Sequence, residues 1–122
     1  MPHLILEYSS NTLEKPEAKS LGAKLHQVML DSGQFQLKDI RTRFVCQNEY
    51  YVADGGIHSA FAHLQVVIMP GRDLEIKKKL SNSLIELLKV EFAQSINSKK
   101  LALSVEIREL DKTTYSRLVP DL

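Results

Sequence analysis

A proline follows the first methionine, and its nitrogen is the first group in the sequence that could do chemistry. With Met1 removed, Pro2 carries a secondary amine; with Met1 attached, the same nitrogen is an amide that has no proton. An α-amino group has a pKa near 7.7–8.0, and burial or neighbouring cations lower that pKa by disfavouring the ammonium form. A free Pro2 amine would therefore be a general base suited to neutral pH.

Three arginines could hold an anion beside this amine. Arg41 and Arg43 alternate along a predicted strand and share one of its faces, and Arg72 directly precedes a predicted helix. Guanidinium groups bind carboxylates through paired hydrogen bonds, and a helix N-terminus adds N–H donors. A single arginine is more often a surface charge, so the combination with Pro2 is what predicts a site for proton transfer on a carboxylic acid.

Other chemical signatures are weak. His3 and His63 lie in apolar strands and do not have the spacing of metal ligands. The sequence contains no glycine-rich phosphate loop and no Gly-x-Ser-x-Gly nucleophile motif. It therefore offers no signature for a metal ion or a nucleotide cofactor.

The elements that must position these groups begin with a strand, a helix and a strand. Residues 3–8 predict the first strand, and apolar positions every three or four residues from 18 to 28 predict a helix that ends at Gly33. Residues 39–46 predict the second strand. Residues 48–58, which contain Asp-Gly-Gly, predict a loop.

The second half of the chain repeats this plan. Residues 60–69 and 101–110 predict two further strands, and apolar positions from 76 to 92 predict the helix between them. The chain thus contains two strand-helix-strand (βαβ) units, at about residues 2–46 and 60–110.

The predicted fold class is α/β (α+β), with one domain over residues 1–122. Parallel strands joined by right-handed helical crossovers give a four-stranded mixed sheet with both helices on one face. We expect the opposite face to be apolar and open in a single subunit. Covering that face predicts a closed homo-oligomer.

Composition restricts the partners and the compartment. The 16 Lys and Arg nearly balance the 15 Asp and Glu, so we expect no nucleic acid and no membrane partner. The single cysteine, Cys46, suits a reducing compartment and predicts a small buried side chain on a strand. With no targeting segment or membrane span recognised, the expected location is cytoplasmic.

In short motifs spread along nearly its whole length, the chain resembles the 5-carboxymethyl-2-hydroxymuconate isomerase family of the tautomerase superfamily. The motifs occur in the same order as in that family. They are Pro2-His3 with Glu7 and Asn11, Ile40-Arg41-Thr42-Arg43, Ala53-Asp54-Gly55, Phe61 with His63, Gly71-Arg72, Leu101-Ala102-Leu103-Ser104 and Glu109-Leu110-Asp111.

The resemblance implies a tautomerase-like homotrimer that works without a metal or organic cofactor. Its implied substrate is 5-carboxymethyl-2-hydroxymuconate or a similar unsaturated oxo or hydroxy polycarboxylate from aromatic catabolism, as in homoprotocatechuate degradation. The implied reaction is a 1,3-proton transfer that turns a dienol into the conjugated ketone. By the same resemblance, Pro2 is the catalytic base, Arg41 and Arg72 bind and polarise the substrate, and Arg43 is a further substrate-binding candidate.

Two other functions remain open on the same residues. Related members of the superfamily use the amine for other tautomerisations, for water addition or for dehalogenation. With Met1 retained, the protein would instead be a non-catalytic trimeric anion-binding protein.

Overall fold

Four strands and three helices make up residues 1–120, the part of the chain that the computed structural model describes. In chain order they are β1 (His3–Ser9), α1 (Ala18–Asp31), β2 (Arg41–Gln47), β3 (Ser59–Ile68), α2 (Leu74–Glu91), α3 (Ala93–Ser98) and β4 (Lys100–Glu109). The strands form one sheet in the order β2-β1-β3-β4. β1 runs parallel to β2 and β3 runs parallel to β4, while β1 and β3 are antiparallel. The predicted mixed sheet of two βαβ units is confirmed.

The two long helices cover the same face of the sheet. Each helix buries leucine or methionine at four-residue spacing, which places these side chains in one stripe. The strands meet that stripe with every second residue, as the period of a strand requires. The central contacts are made by Leu21, Leu25 and Met29 of α1, Leu80, Leu84 and Leu88 of α2, and Leu4, Leu6, Leu64, Val66 and Ile68 of the sheet.

The opposite face of the sheet is mostly polar, with Ile5, Phe61 and Val67 among its apolar residues, so the expectation of an apolar open face is wrong. It carries the alternate side chains of all four strands, among them His3, Glu7, His63 and Gln65. Many of these groups bond to one another across strands; Gln47, for example, donates to the Glu7 carboxylate at 2.7 Å. The polar residues of β1 and β3 occupy alternate positions and therefore point to one face of the sheet. This alternation is hard to see in the sequence, because the two strands look apolar as a whole.

Cys46 is exposed on β2, so the expectation of a buried thiol is also wrong. β2 is an edge strand, and within residues 1–120 only its β1 side is paired. For that reason, the exposure of successive side chains alternates only weakly along β2. An edge position leaves side chains accessible that would be enclosed on a central strand.

Two short elements were not anticipated: a 3₁₀ turn at Leu37–Asp39 and the helix α3. Helices this short need contacts from elsewhere in the chain, because six residues cannot sustain a helix alone. Within residues 1–120, no helix is both long and apolar enough to cross a membrane.

Glu14 supplies the contacts that begin α3. Its Oε2 accepts hydrogen bonds from the backbone N–H groups of Gln94 (2.8 Å) and Ser95 (3.2 Å), and its other oxygen accepts from the Ser95 hydroxyl. Burial by itself would raise the pKa of Glu14, but these hydrogen bonds outweigh burial and lower it. A carboxylate from the first repeat thus caps a helix of the second.

Replacing Glu14 by alanine should lower the free energy of unfolding by about 1–2 kcal/mol at pH 7, because the cap of α3 is lost. The folded-state pKa of Glu14 lies below its ordinary value of 4.5. The stabilisation is therefore present above that ordinary value and is lost as pH falls through the folded-state pKa. Urea denaturation of wild type and Glu14→Ala at pH 7 and pH 3 should give a difference that shrinks at the lower pH.

The matched control is Glu49→Ala, since Glu49 is an exposed carboxylate in the loop between β2 and β3. It should change the free energy of unfolding by less than about 0.5 kcal/mol. Equal effects of the two substitutions at pH 7 would show that Glu14 does not cap α3.

Candidate active site

The strand directions bring four chain segments to one edge of the sheet. β1 begins at this edge, and so does β2, because His3 pairs with Arg41 in a parallel ladder. β3 ends here, because it is antiparallel to β1, and β4 ends here beside β3. The amino terminus, the segment before β2, the segment between β3 and α2, and the segment after β4 therefore meet at one place.

A cavity of about 390 Å³ lies at this edge and contains Pro2. Pro2 is buried, and its carbonyl accepts a hydrogen bond of 3.0 Å from the backbone N–H of Arg41. This bond extends the β1–β2 ladder to the second residue of the chain, so the amino terminus is held in place. The cavity is lined by Met1, Pro2, Gln34, Phe35, Gln36, Lys38, Asp39, Arg72 and Arg117.

Arg72 is the predicted binding residue that shares this cavity with Pro2. Its Nη1 donates to the Met69 carbonyl at 3.2 Å and its Nη2 to the Gln34 carbonyl at 3.0 Å. The guanidinium also stacks on Phe35, with Cζ 4.4 Å from the ring centroid. Its Nε is buried and has no hydrogen-bond partner among residues 1–120. The charge of Arg72 is thus fixed at the cavity wall, and a second N–H on each terminal nitrogen is left for a ligand.

Two local features place Arg72 and its partners. Gly71 has φ 122°, a conformation open mainly to glycine, and it turns the chain out of β3. Gly33, at φ 75°, ends α1 and turns the chain towards Gln34 and Phe35, as the sequence predicted.

The N-terminus of α2 is capped by its own chain. The Asp73 carboxylate accepts a hydrogen bond of 2.9 Å from the backbone N–H of Ile76. The sequence reading assigned this helix end to anion binding beside Arg72, but a carboxylate of the protein already occupies it.

Arg41 and Arg43 lie outside the cavity in this chain. The side chain of Arg41 is exposed and donates from Nη1 to the Lys38 carbonyl at 2.8 Å. The Nη1 of Arg43 donates to Nδ1 of His3 at 3.0 Å, on the open face of the sheet. The structure therefore brings Pro2 and Arg72 together but places Arg41 and Arg43 on the neighbouring sheet surface.

The N-terminal amine lies in a positive environment. Burial and the charge of Arg117 lower the pKa of the Met1 amine, with further lowering by Arg72 and Arg41. The Asp39 carboxylate acts in the opposite direction. Cations around an amine disfavour its protonated form, so this edge of the sheet can present an unprotonated amine near neutral pH.

Sequence reasoning did not find Arg117, Lys38 or Asp39 as cavity residues. Arg117 follows β4, and the strand directions alone place that segment beside the amino terminus. The predicted strand directions indicate this position for Arg117, since β4 must end at the edge where β1 begins. Lys38 and Asp39 belong to the unanticipated 3₁₀ turn.

A second cluster has the bonding pattern of a serine nucleophile with its base. His63 Nε2 lies 3.0 Å from Glu106 and Nδ1 lies 2.6 Å from the Ser104 hydroxyl, which therefore donates to it. The three residues sit on the flat open face, where the backbone N–H groups point within the plane of the sheet. No pair of N–H donors can face an oxyanion there, so the cluster serves as a polar contact between β3 and β4.

Known proteins share both this fold and much of this sequence. The chain is 38% identical over 113 residues to the 5-carboxymethyl-2-hydroxymuconate Delta-isomerase of Escherichia coli, covering 93% of this chain and 90% of that one. A 5-carboxymethyl-2-hydroxymuconate isomerase from Deinococcus radiodurans R1 superposes with a TM-score of 0.88 at 35% identity, covering 96% of this chain and 88% of that one. In fold alone, the chain also matches a fused symmetric trimer of wild-type 4-OT, with a TM-score of 0.71, 20% identity and coverage of 91% and 87%.

The mixed sheet of two βαβ units, with both long helices on one face, places the protein among the tautomerase-fold proteins. The sequence model of the 5-carboxymethyl-2-hydroxymuconate isomerase family matches residues 2–118. The chain belongs to that family, and it is an isomerase. The resemblance drawn from short motifs is confirmed.

The electrostatics of the cavity can be tested on the Met1 amine of protein that retains Met1. Replacing Arg117 by glutamine should raise its pKa, whereas Asp39→Asn should lower it further, because the two charges act in opposite directions. Titration of ¹⁵N-methionine-labelled protein by NMR would follow the amine directly. Lys112→Gln, on the same segment as Arg117 but outside the cavity, is the control and should leave the pKa unchanged. Shifts of the same sign from Arg117→Gln and Asp39→Asn would contradict this description of the cavity.

Proposed function

We propose that the protein isomerises an unsaturated oxo or hydroxy polycarboxylate by proton transfer through the amine of Pro2, which becomes free when Met1 is removed. The observation that carries the proposal is the cavity in which buried Pro2 lies with Arg72, Lys38 and Arg117. Membership of the family supports 5-carboxymethyl-2-hydroxymuconate, the compound named for the Escherichia coli relative, as the substrate. Such a substrate belongs to the catabolism of aromatic compounds.

In the proposed reaction, the unprotonated amine takes a proton from the substrate dienol and the electrons move along the conjugated system. The protonated amine then returns the proton to the distal carbon, which leaves the conjugated ketone. One proton leaves and one returns, so the isomerisation needs no oxidant or reductant. A proline nitrogen suits this role because its ring holds the lone pair in one direction at little entropic cost.

Arg72 stabilises the negative charge that develops on oxygen during the transfer. Its contacts with two carbonyls and with Phe35 fix the guanidinium before the substrate arrives. A cation held in advance stabilises a transition state more effectively than one that must reorganise. The remaining N–H on each terminal nitrogen can donate to a carboxylate or a 2-oxo group.

Arg41 and Arg43 have a role in the proposed site only when the protein assembles into an oligomer. Both residues belong to the edge strand β2, and Arg43 contacts His3 on the open face. An adjacent subunit would lie against these surfaces. In a homotrimer they could complete the cavity of a neighbouring chain as substrate-binding residues. The fused symmetric trimer of 4-OT, which has the same fold, supports three as the number of subunits.

Replacing Pro2 by alanine should lower kcat/KM for ketonisation of 5-carboxymethyl-2-hydroxymuconate by roughly tenfold or more, because the primary amine of alanine lacks the ring that holds the lone pair of proline in one direction. Ultraviolet absorbance would follow the dienol. Pro16→Ala is the matched control, because Pro16 lies before α1 and outside the cavity, and it should retain activity. An unchanged rate for Pro2→Ala would contradict a role for the proline ring in the proton transfer.

Sedimentation at micromolar concentration should show a species of three 13.8-kDa chains. Ile5→Arg, on the open face beside Arg43, should weaken that assembly because it adds an unpaired charge to a face covered by the neighbour. Lys78→Glu, on an exposed position of α2, is the control and should leave it unchanged. A monomeric wild type, or an assembly insensitive to Ile5→Arg, would contradict a trimer built on the open face.

A further inference from the structure

The charges of the cavity are not balanced. Among residues 1–120, three cationic side chains line it, those of Lys38, Arg72 and Arg117, against the single carboxylate of Asp39. The lining therefore has a net charge of plus two before the amine is counted. Among residues 1–120, neither Lys38 nor Arg117 forms an ion pair. A ligand with at least two negative charges would complement this lining.

Arg72 cannot neutralise such a ligand alone. One N–H on each of its terminal nitrogens is already bonded to a backbone carbonyl, and Nε is buried. What remains can hold one carboxylate or one oxo group. A second anionic group of the same ligand must find its donors among Arg117 and Lys38.

The segment that carries Arg117 is fixed at several points. Leu110 N–H donates to the Ile68 carbonyl at 2.8 Å, which continues the β3–β4 ladder. The Asp111 carboxylate then accepts hydrogen bonds from the backbone N–H (3.0 Å) and the hydroxyl (2.6 Å) of Thr113, which forms a turn. These bonds direct the chain after β4 back towards the amino terminus.

His3 and Tyr115 provide the last attachment, two residues before Arg117. Arginine only donates hydrogen bonds, so Nδ1 of His3 accepts from Arg43 and Nε2–H donates to the Tyr115 hydroxyl at 3.1 Å. The two rings also meet edge to face, with centroids 6.3 Å apart. The residue beside Pro2 thus holds the segment that brings Arg117 to the cavity.

We propose that Arg117, assisted by Lys38, forms a second carboxylate subsite, which makes the isomerase selective for substrates with carboxylates at two or more separate positions. The inference rests on the proposed function, since it takes the Pro2 cavity as the place of reaction. Arg72 holds the group next to the reacting oxygen, and Arg117 holds a carboxylate farther along the carbon chain. A guanidinium suits that second position because its paired N–H groups match the two oxygens of a carboxylate.

The test compares one substrate with three carboxylates, 5-carboxymethyl-2-hydroxymuconate, and one with a single carboxylate, the enol of phenylpyruvate. Arg117→Gln should raise KM for the tricarboxylate about tenfold or more and change KM for the monocarboxylate less than twofold. Arg117→Lys should recover part of the loss, because it keeps the charge without the paired donors. Lys112→Gln, the neighbouring cation outside the cavity, should change neither KM.

The ratio of the two KM values separates this subsite from the effect of Arg117 on the amine, which acts on both substrates alike. Equal changes in both KM values for Arg117→Gln, or no change in either, would overturn the inference while leaving the isomerase function intact.

Binding measurements cover the case in which one or both compounds do not turn over; failure of both would also contradict the proposed function. Calorimetry with propane-1,2,3-tricarboxylate and with butyrate would then decide. Loss of tricarboxylate binding in Arg117→Gln but not in the wild-type protein would support the subsite even without the reaction. Equal binding of the tricarboxylate to the variant and the wild type would overturn it.

Discussion

The antiparallel pairing of β1 with β3 is the constraint on which the site depends. It places the start of one βαβ unit beside the end of the other, so that the amino terminus and Arg72 meet although 70 residues separate them. The parallel partners β2 and β4 then add the turn before Arg41 and the segment after Glu109 to the same edge. A register shift of one residue between β1 and β3 would turn the buried side chains of one of these strands to the open face.

Two opposing effects set the chemistry of the N-terminal amine. Burial and the cations Arg117, Arg72 and Arg41 favour the neutral amine, and Asp39 favours the ammonium. These cations outnumber the one carboxylate, so the neutral form of the amine is favoured over the ammonium. The same excess of positive charge attracts a polyanionic substrate, which means that one set of residues serves both the base and its ligand.

Most of the elements could be predicted from the sequence because their signals are local. The four-residue spacing of buried positions in α1 and α2 and the alternation in β3 are properties of neighbouring residues. Gly33 ends its helix for a local steric reason as well. Pro2 and Arg72 could be paired through the resemblance to the isomerase family, although neither residue type has much specificity on its own.

The features that sequence reasoning missed are set by contacts between distant parts of the chain. The helix α3 exists because Glu14, 80 positions away from Gln94, caps it. The exposure of Cys46 follows from the position of β2 at the sheet edge, which pairing alone decides. Arg117 becomes a cavity residue only after the strand order is known, and the bond between His3 and Tyr115 brings it there.

Whether a free Pro2 amine performs the proton transfer in this cavity depends on the bond between Met1 and Pro2. Intact-mass spectrometry of the untagged protein from its native host would show which residue is first, and the forms with and without Met1 can then be assayed separately on the dienol. We expect the form beginning with Pro2 to ketonise the dienol and the form beginning with Met1 to be inactive. Equal activity of the two forms, or Met1 on every active molecule, would contradict it.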